Sequence, residues 1–294
     1  MSTSPETSSR RVRRQILSWL PDGPRTWLRR FYERVSAPAD RAQATFTDCG
    51  ATVVLQIAGG PSITLLPQAR GDIERQFRDP EAAAELSRFM SYTADPGVLF
   101  DVGANYGLFA LVYCLANRQS RAVAFEPSPR LAATIRQLAD LNGVADRLRV
   151  VDKAVAEAIG VRELLLDLRG GYVQSAAFAG TTSGSWHTAT LPLTTLDHEV
   201  AVVRPTIVKI DIEGYEHEAL LGADMLLADV RPMIFLELHL NYLQARQIAP
   251  SDVVALLTRH RYRLEDLRGR RRSVRGIARS WASVLHLTAT PLES

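Results

Sequence analysis

The stretch Ile207-Val-Lys-Ile-Asp-Ile-Glu-Gly-Tyr-Glu-His-Glu-Ala-Leu-Leu-Gly-Ala223 decides the fold. Its β-branched run, Ile207 to Ile210, ends in Asp211, Glu213 and Gly214. A helical pattern follows, with Ala219, Leu220 and Ala223 on one side. The combination predicts a buried strand that delivers carboxylates to its C-terminal end, where open α/β sheets hold their ligands. Val98-Leu-Phe-Asp-Val-Gly-Ala-Asn-Tyr-Gly107 repeats the design earlier in the chain. Two strand–acid–glycine–helix turns in one sheet describe a cofactor crevice with a reaction site beside it.

Working outward, 294 residues can bury one large core, or one core with a small appendage. Apolar residues at 46% and charged residues at 23% fit an ordinary globular protein. A net charge of +3 does not argue for nucleic acid. Of 35 basic residues only Lys153 and Lys209 are lysines, so a lysine inside the central stretch stands out. Cys49 and Cys114 make neither a disulfide framework nor a zinc site. No apolar run approaches the roughly 20 residues that span a bilayer. Arg10, Arg11, Arg13 and Arg14 precede an apolar run, Ile16 to Leu20, too short for a signal peptide, and the expected compartment is the cytoplasm.

Residues 1–70 read as an N-terminal extension with a disordered start, short proline-broken helices and a β-hairpin around Gly59-Gly60. Residues 10–35 are basic and amphipathic; docking on the main domain is favoured over peripheral membrane contact because Pro21 and Pro24 break the segment. Residues 71–294 read as the catalytic domain. Asp79-Pro80-Glu81 opens a helix, and Asp95-Pro96-Gly97 stops the chain before the first strand. Strands at 98–100, 122–125, 148–151, 207–210 and 233–238 then alternate with helices at 107–115, 129–141 and 215–227. Ser251-Asp252 is expected to cap a further helix. A β-rich insertion occupies 161–193, and strands at 262–266 and 284–288 close the sheet around a solvated arginine-rich turn.

In the glycine turn, Asp101, Gly103, Asn105 and Gly107 are the candidate cofactor residues, the glycines letting the backbone approach a ligand. Glu126 ends the next strand, 19 residues past Gly107, and suits an acid that accepts from ribose hydroxyls. Asp152 follows the third strand, within reach of an adenine edge. The spacing departs from the nicotinamide fingerprint G-x-G-x-x-G, because Asn105 takes its second glycine position. A carboxylate at Asp101 repels a diphosphate but suits the ammonium of S-adenosyl-L-methionine, which is favoured over NAD.

The chain resembles the FkbM family of S-adenosylmethionine-dependent methyltransferases. The resemblance rests on Phe100-Asp-Val-Gly-Ala-Asn-Tyr-Gly107, Phe125-Glu-Pro127, Leu193-Thr-Thr-Leu-Asp197, Lys209-Ile-Asp-Ile-Glu-Gly-Tyr-Glu216 and Leu236-Glu-Leu-His239. It covers roughly residues 95–245 and does not reach 1–70. It implies a Rossmann-like class I methyltransferase fold: a seven-stranded, mostly parallel sheet whose last strand is antiparallel, with helices on both faces. It also implies O-methylation of a hydroxyl on a sugar, polyketide or related metabolite, a glycolipid included.

Methyl transfer to a hydroxyl gains from a positioned nucleophile in a water-poor pocket and from a nearby proton acceptor. Asp211, at the end of the fourth strand, is the first candidate. Glu213 faces the same crevice, and Glu237 and His239 share one face of the fifth strand by alternation. Each has a plainer role available: Asp211 or Glu213 as a helix cap, His239 as a satisfied buried histidine, Lys209 as half of a buried ion pair. His217 and Glu218 read as solvent-facing or packing residues. Asp211, Glu237 and His239 have spacing that permits a divalent cation without requiring one, and no metal is assigned. Two alternatives stay open: a catalytically inactive binding subunit of the same fold, and methylation of RNA or protein. Intact acids weigh against the first, and the lack of an aromatic-interleaved basic patch against the second.

Overall fold

A computed structural model describes residues 41–167, 173–174 and 186–293. The readings made for residues 1–40, the membrane-facing one included, lie outside the described residues. Residues 41–293 belong to one compact unit. It starts with β1 (Ala44–Asp48), β2 (Val53–Ile57) and β3 (Ser62–Leu65), followed by α1 (Pro67–Arg78) and α2 (Pro80–Met90). The alternating part follows as β4 (Val98–Val102), α3 (Leu108–Ala116), β5 (Arg121–Phe125), α4 (Pro129–Leu141) and β6 (Leu148–Val151).

The insertion supplies β7 (Ala154–Val155), β8 (Gly160–Asp167), β9 (Val173–Gln174) and β10 (Trp186–Thr194), which form a sheet of their own. Next come α5 (Leu196–Val200), β11 (Ile207–Ile210), α6 (Glu216–Leu221), β12 (Met233–His239), α7 (Leu240–Ala245) and α8 (Pro250–Arg259). The chain closes with β13 (Tyr262–Asp266), α9 (Val274–Ala278) and β14 (Val284–Pro291).

Seven strands form the central sheet in the order β13-β14-β12-β11-β4-β5-β6. Only β14 runs against its neighbours, as expected for the class. The strand order reverses between β4 and β11, and at that switch point the C-terminal ends of two strands leave a crevice. β11 is buried along its whole length, because it is flanked by strands on both edges and layers on both faces.

The three-stranded N-terminal sheet is not an appendage. Val53, Leu55, Ile57, Ile63 and Leu65 are buried in the same apolar cluster as Leu99, Phe109, Leu111, Ile135 and Leu138. Thr64 donates its N–H to Asn142 Oδ1, and Asn142 Nδ2 donates to Thr64 O, both at 2.8 Å. The boundary expected near residue 70 therefore cuts through packed core. Each aliphatic side chain buried here contributes about 1.5–3 kcal/mol, too much to leave on a detachable hairpin.

Other departures have local causes. The hairpin expected around Gly59-Gly60 is joined by a further strand, because the chain before it turns at 49–52 and β1 pairs with β2. The helix expected over 215–227 ends at Leu221, because a Cβ at Gly222 would lie 2.2 Å from Ala156 O and the chain turns there. A short π-helical segment, Leu226–Val230, follows, and Asp197 accepts from Met225 N (3.0 Å) and Leu226 N (2.8 Å). Pro250 opens α8 at its first position, so Ser251 and Asp252 lie inside the first turn and are not its caps. Among the described residues no helix is long and apolar enough to cross a membrane.

Candidate active site

The glycine turn is built by hydrogen bonds to the next strand. Phe125 O accepts from Gly103 N and Ala104 N, both at 3.0 Å. Glu126 accepts from Asn105 N (2.8 Å) and Ser128 N (2.9 Å). Gly103 has φ +81°, and a Cβ there would lie 1.9 Å from Asp211 O. The close approach that this glycine permits is therefore to the backbone of the second motif. The two turns are locked together at the switch point.

Asn105 adopts a left-handed φ of +54°, and its Oδ1 is buried with no hydrogen-bond partner among the described residues. Gly107 is the left-handed N-cap of α3. Asp101 is buried and accepts from Ala110 N at 3.1 Å, so one oxygen orders α3. Burial lifts its pKa to about 7, against the pull of Lys209. Burial likewise lifts Glu126 to about 8, although the N–H groups of Ser128 and Asn105 favour the anion. Asp152 stands apart: both terminal nitrogens of Arg136 hold its carboxylate, on an exposed part of the surface. Four of the expected cofactor residues thus share one turn, Glu126 closes it, and Asp152 is turned to α4.

The second motif leaves β11 through Asp211, whose N–H donates to Val102 O at 3.0 Å. Glu213 is left-handed at φ +52°, a conformation that a non-glycine residue keeps only when its surroundings over-determine it. Here Arg246 from beyond α7 supplies that constraint. Its guanidinium donates to Gly214 O, pairs with Glu218 and lies 4.1 Å from the centroid of Tyr215. Glu218, expected to face solvent or pack, is thus a fixed anchor.

His239 ends β12 and is buried. Its Nδ1 lies 2.8 Å from Glu216 Oε1, which also accepts from Gly214 N at 3.0 Å. A carboxylate only accepts, so Nδ1 carries the hydrogen. The other ring nitrogen, Nε2, lies 3.5 Å from Glu213 Oε2 and 3.8 Å from both Asp211 Oδ1 and Glu237 Oε1. All four expected catalytic residues therefore converge on one face.

Burial alone would lower the pKa of His239, but Glu213, Glu216 and Glu237 overrule it and hold the ring as an imidazolium. Burial first and Glu237 second raise Asp211, while Lys209, His239 and His286 pull the other way. Asp211 keeps 29% of its side-chain surface open, so solvent damps that shift. Glu213, at 33% exposure, rises to about 7 through burial, opposed by His239. One oxygen each of Asp211 and Glu237 and one ring nitrogen of His239 lie within 4.8 Å of one another, a spacing a divalent ion can use.

Sequence reasoning gave no role to Glu216, fully buried behind His239, nor to Arg246, Glu85 and His286. Glu85 is buried against Lys209 and His286, and His286 is buried against Glu237 of the site. Lys209, flagged by its rarity, is indeed buried, with Glu85, Glu237 and Asp211 at 3.3, 3.5 and 3.6 Å.

Strand order, the glycine turn and the carboxylate crevice at the switch point define a Rossmann-like class I methyltransferase. Residues 101–264 match the family described as the methyltransferase FkbM domain. The chain belongs to the FkbM methyltransferase family and is a methyltransferase enzyme. A hexuronic acid methyltransferase, AglP of Haloferax volcanii, is 27% identical over 185 residues, 62% of this chain and 71% of that protein. Among solved structures, the FkbM methyltransferase of Methylobacillus flagellatus is 16% identical with a TM-score of 0.42. That alignment covers 65% of this chain and 43% of the other, so this chain spans less than half of that protein. A precorrin-6y C5,15-methyltransferase of Geobacter metallireducens is 15% identical with a TM-score of 0.42, over 71% and 88% of the two chains.

Proposed function

We propose that the enzyme moves a methyl group from S-adenosylmethionine to a hydroxyl of a sugar or closely related metabolite, with Asp211 as proton acceptor. The observation that carries this reading is the contact of the Gly103 turn with the Asp211 backbone, which ties a cofactor turn to a carboxylate crevice. The residues present fit S-adenosylmethionine. The orphaned, buried Oδ1 of Asn105 is an acceptor that an ammonium would satisfy. Glu126 has accepted two N–H bonds and keeps lone pairs for ribose hydroxyls. When bound, S-adenosylmethionine supplies a methyl group on a positively charged sulfur, an electrophile that an oxygen nucleophile can attack.

The chain's own part is to position the acceptor and take its proton. A carboxylate with a raised proton affinity is a better base, and burial beside Glu237 raises that of Asp211. His239, held as imidazolium by Glu216, turns its Nε2 toward the same opening and faces the negative charges of Asp211, Glu213 and Glu237. Arg246 and the left-handed Glu213 keep this loop in one shape, so Asp211 acts from a preorganised position.

A sugar acceptor is supported by the relative's activity on hexuronic acid and by Trp281. This residue is 89% exposed and lies three positions before Val284, which pairs with His239. Ser283 O accepts from Asn241 N at 3.3 Å, which brings the Trp281 loop to the rim of the crevice. An exposed indole there offers a flat apolar face to the C–H side of a sugar ring.

Calorimetric titration with S-adenosylhomocysteine and NADH, then incubation with labelled S-adenosylmethionine and a panel of hexosides and hexuronates, tests the reading. Binding of the first ligand with transfer to a saccharide supports it. Preference for NADH, or transfer only to RNA or protein, overturns it.

A further inference from the structure

Lys209 on β11, Glu237 on β12, His286 on β14 and Glu85 on α2 bring their charged atoms into a closed circuit of alternating sign. Lys209 Nζ is 3.3 Å from Glu85 Oε2, and that oxygen is 3.3 Å from His286 Nδ1. His286 Nδ1 is 3.8 Å from Glu237 Oε2, and Glu237 Oε2 is 3.5 Å from Lys209 Nζ. Lys209, Glu85 and His286 are buried. The sheet register sets two sides of the circuit, since Glu237 pairs with His286 and Lys209 with Phe235, two positions before Glu237. Glu85 and His286 lie outside residues 101–264, the part that matches the family.

Four charges taken out of water cost several kcal/mol each, and a circuit neutral by alternation is what lets them persist. Glu85, Glu237 and His286 also have the spacing of a cation site, but the Lys209 ammonium lies against both carboxylates and supplies the cation. Glu237 belongs to two groups. Its Oε2 closes the circuit, and its Oε1 faces His239 Nε2 at 3.8 Å. Asp211 hangs from the Lys209 corner at 3.6 Å.

We propose that Glu85 and His286 are positioning residues of the methyl-transfer site: their circuit fixes Glu237 and engages Lys209, leaving Asp211 as the carboxylate free to take a proton. This rests on the reading of Asp211 as proton acceptor. A lysine committed to Asp211 alone would hold the carboxylate in its anionic form and weaken it as a base. Glu85, the nearest of the three acids around Lys209, draws the ammonium back into the circuit.

Many titratable groups face Asp211: Lys209 on the strand it ends, Asp101 on β4, Glu237 and His239 on β12, His286 on β14, Glu85 on α2, Glu213 from the following loop, and Tyr242 on α7. Within this set Glu85 and His286 act on Asp211 with opposite sign. Removing the negative charge of Glu85 lowers the proton affinity of Asp211, and removing the positive charge of His286 raises it.

The test is carboxyl titration by NMR of the full chain labelled with ¹³C-aspartate, the Asp211 signal being assigned by its loss in Asp211→Asn. In Glu85→Gln the midpoint of Asp211 should fall, and in His286→Gln it should rise, each by about half a pH unit or more. Shifts of the same sign, or none, in variants that melt as one folded unit would overturn the proposal. A merely structural role would lower the melting temperature without opposite shifts. If Glu85→Gln does not fold, His286→Gln and the unmodified protein still decide. The imidazole ¹⁵N signals of His286 should show a ring protonated at neutral pH and titrating at about 9, and a neutral ring at pH 7 refutes the circuit. Binding of S-adenosylhomocysteine, measured alongside, should not change. Its absence in the unmodified protein would sink the proposed function while leaving the circuit standing.

Discussion

Glu216→Gln isolates what a fully buried acid does behind His239. In the native chain Oε1 alone serves both Gly214 N and His239 Nδ1, while Oε2 is buried with no partner among the described residues. Glutamine can keep its oxygen in the first place, so neither hydrogen bond need be lost. The bond to the imidazolium drops from charge-assisted to ordinary strength, while the amide NH₂ replaces an oxygen that was already buried without a partner and adds no new orphan. The expected destabilisation is therefore about 1–2 kcal/mol in urea unfolding near pH 6.

That loss depends on pH. The folded pKa of His239 is raised above its unfolded value of about 6.5. Its contribution is fully present below the unfolded value and is lost as pH rises through the folded one. The penalty of Glu216→Gln should accordingly shrink toward zero at alkaline pH. A penalty independent of pH, or none at pH 6, would show that His239 is not held as an imidazolium by Glu216.

Glu126→Ala should weaken S-adenosylhomocysteine binding by about 1.5–3 kcal/mol in calorimetry run above pH 8, where the buried carboxyl is charged and can hold ribose hydroxyls as a charged acceptor. Leu55→Ala, in the N-terminal sheet, should cost about 2–5 kcal/mol and leave a single unfolding transition, because Leu55 shares the core of the main sheet. A separate early transition would mark an independent appendage. Trp281→Ala should raise KM for a saccharide acceptor several-fold with kcat nearly intact, since stacking at the rim is worth about 0.5–1.5 kcal/mol. An unchanged KM would remove the indole from the acceptor path.

The central sheet was legible because β4, β5, β6 and β11 are apolar runs followed by acids or glycines and β12 is an apolar run closing on Glu-Leu-His, a pattern that depends only on local sequence. Convergence of Asp211, Glu213, Glu237 and His239 was legible too, because strand alternation and the switch point place them without knowledge of any distant contact. What the residues hide is long-range. Gly103 reads as a ligand-facing glycine, and its partner is a carbonyl in the other motif. Gly222 looks tolerable within a helix until Ala156 is brought against it.

Glu216 reads as one more acid in a helix's first turn, where acids are common; only the fold supplies His239 as its partner. Glu85 and His286 carry no local signal, one being an acid in a helix that also holds Glu81 and Arg88, the other a histidine in a strand far along the chain. The Thr-Thr-Leu-Asp motif, read as a family mark, has a scaffolding part here. Thr195 caps α5, and Asp197 caps the segment after α6.

The most direct test of the account is methyl transfer by Asp211→Asn, measured with labelled S-adenosylmethionine and a saccharide that the unmodified enzyme accepts, beside calorimetry of S-adenosylhomocysteine. Removing a general base typically costs about 10² to 10⁴ in rate. The expected outcome is a loss of turnover on that scale with cofactor affinity nearly unchanged, because only the Asp211 backbone, and not its side chain, approaches Gly103. Turnover near that of the unmodified enzyme would contradict the account and make Asp211 a structural acid.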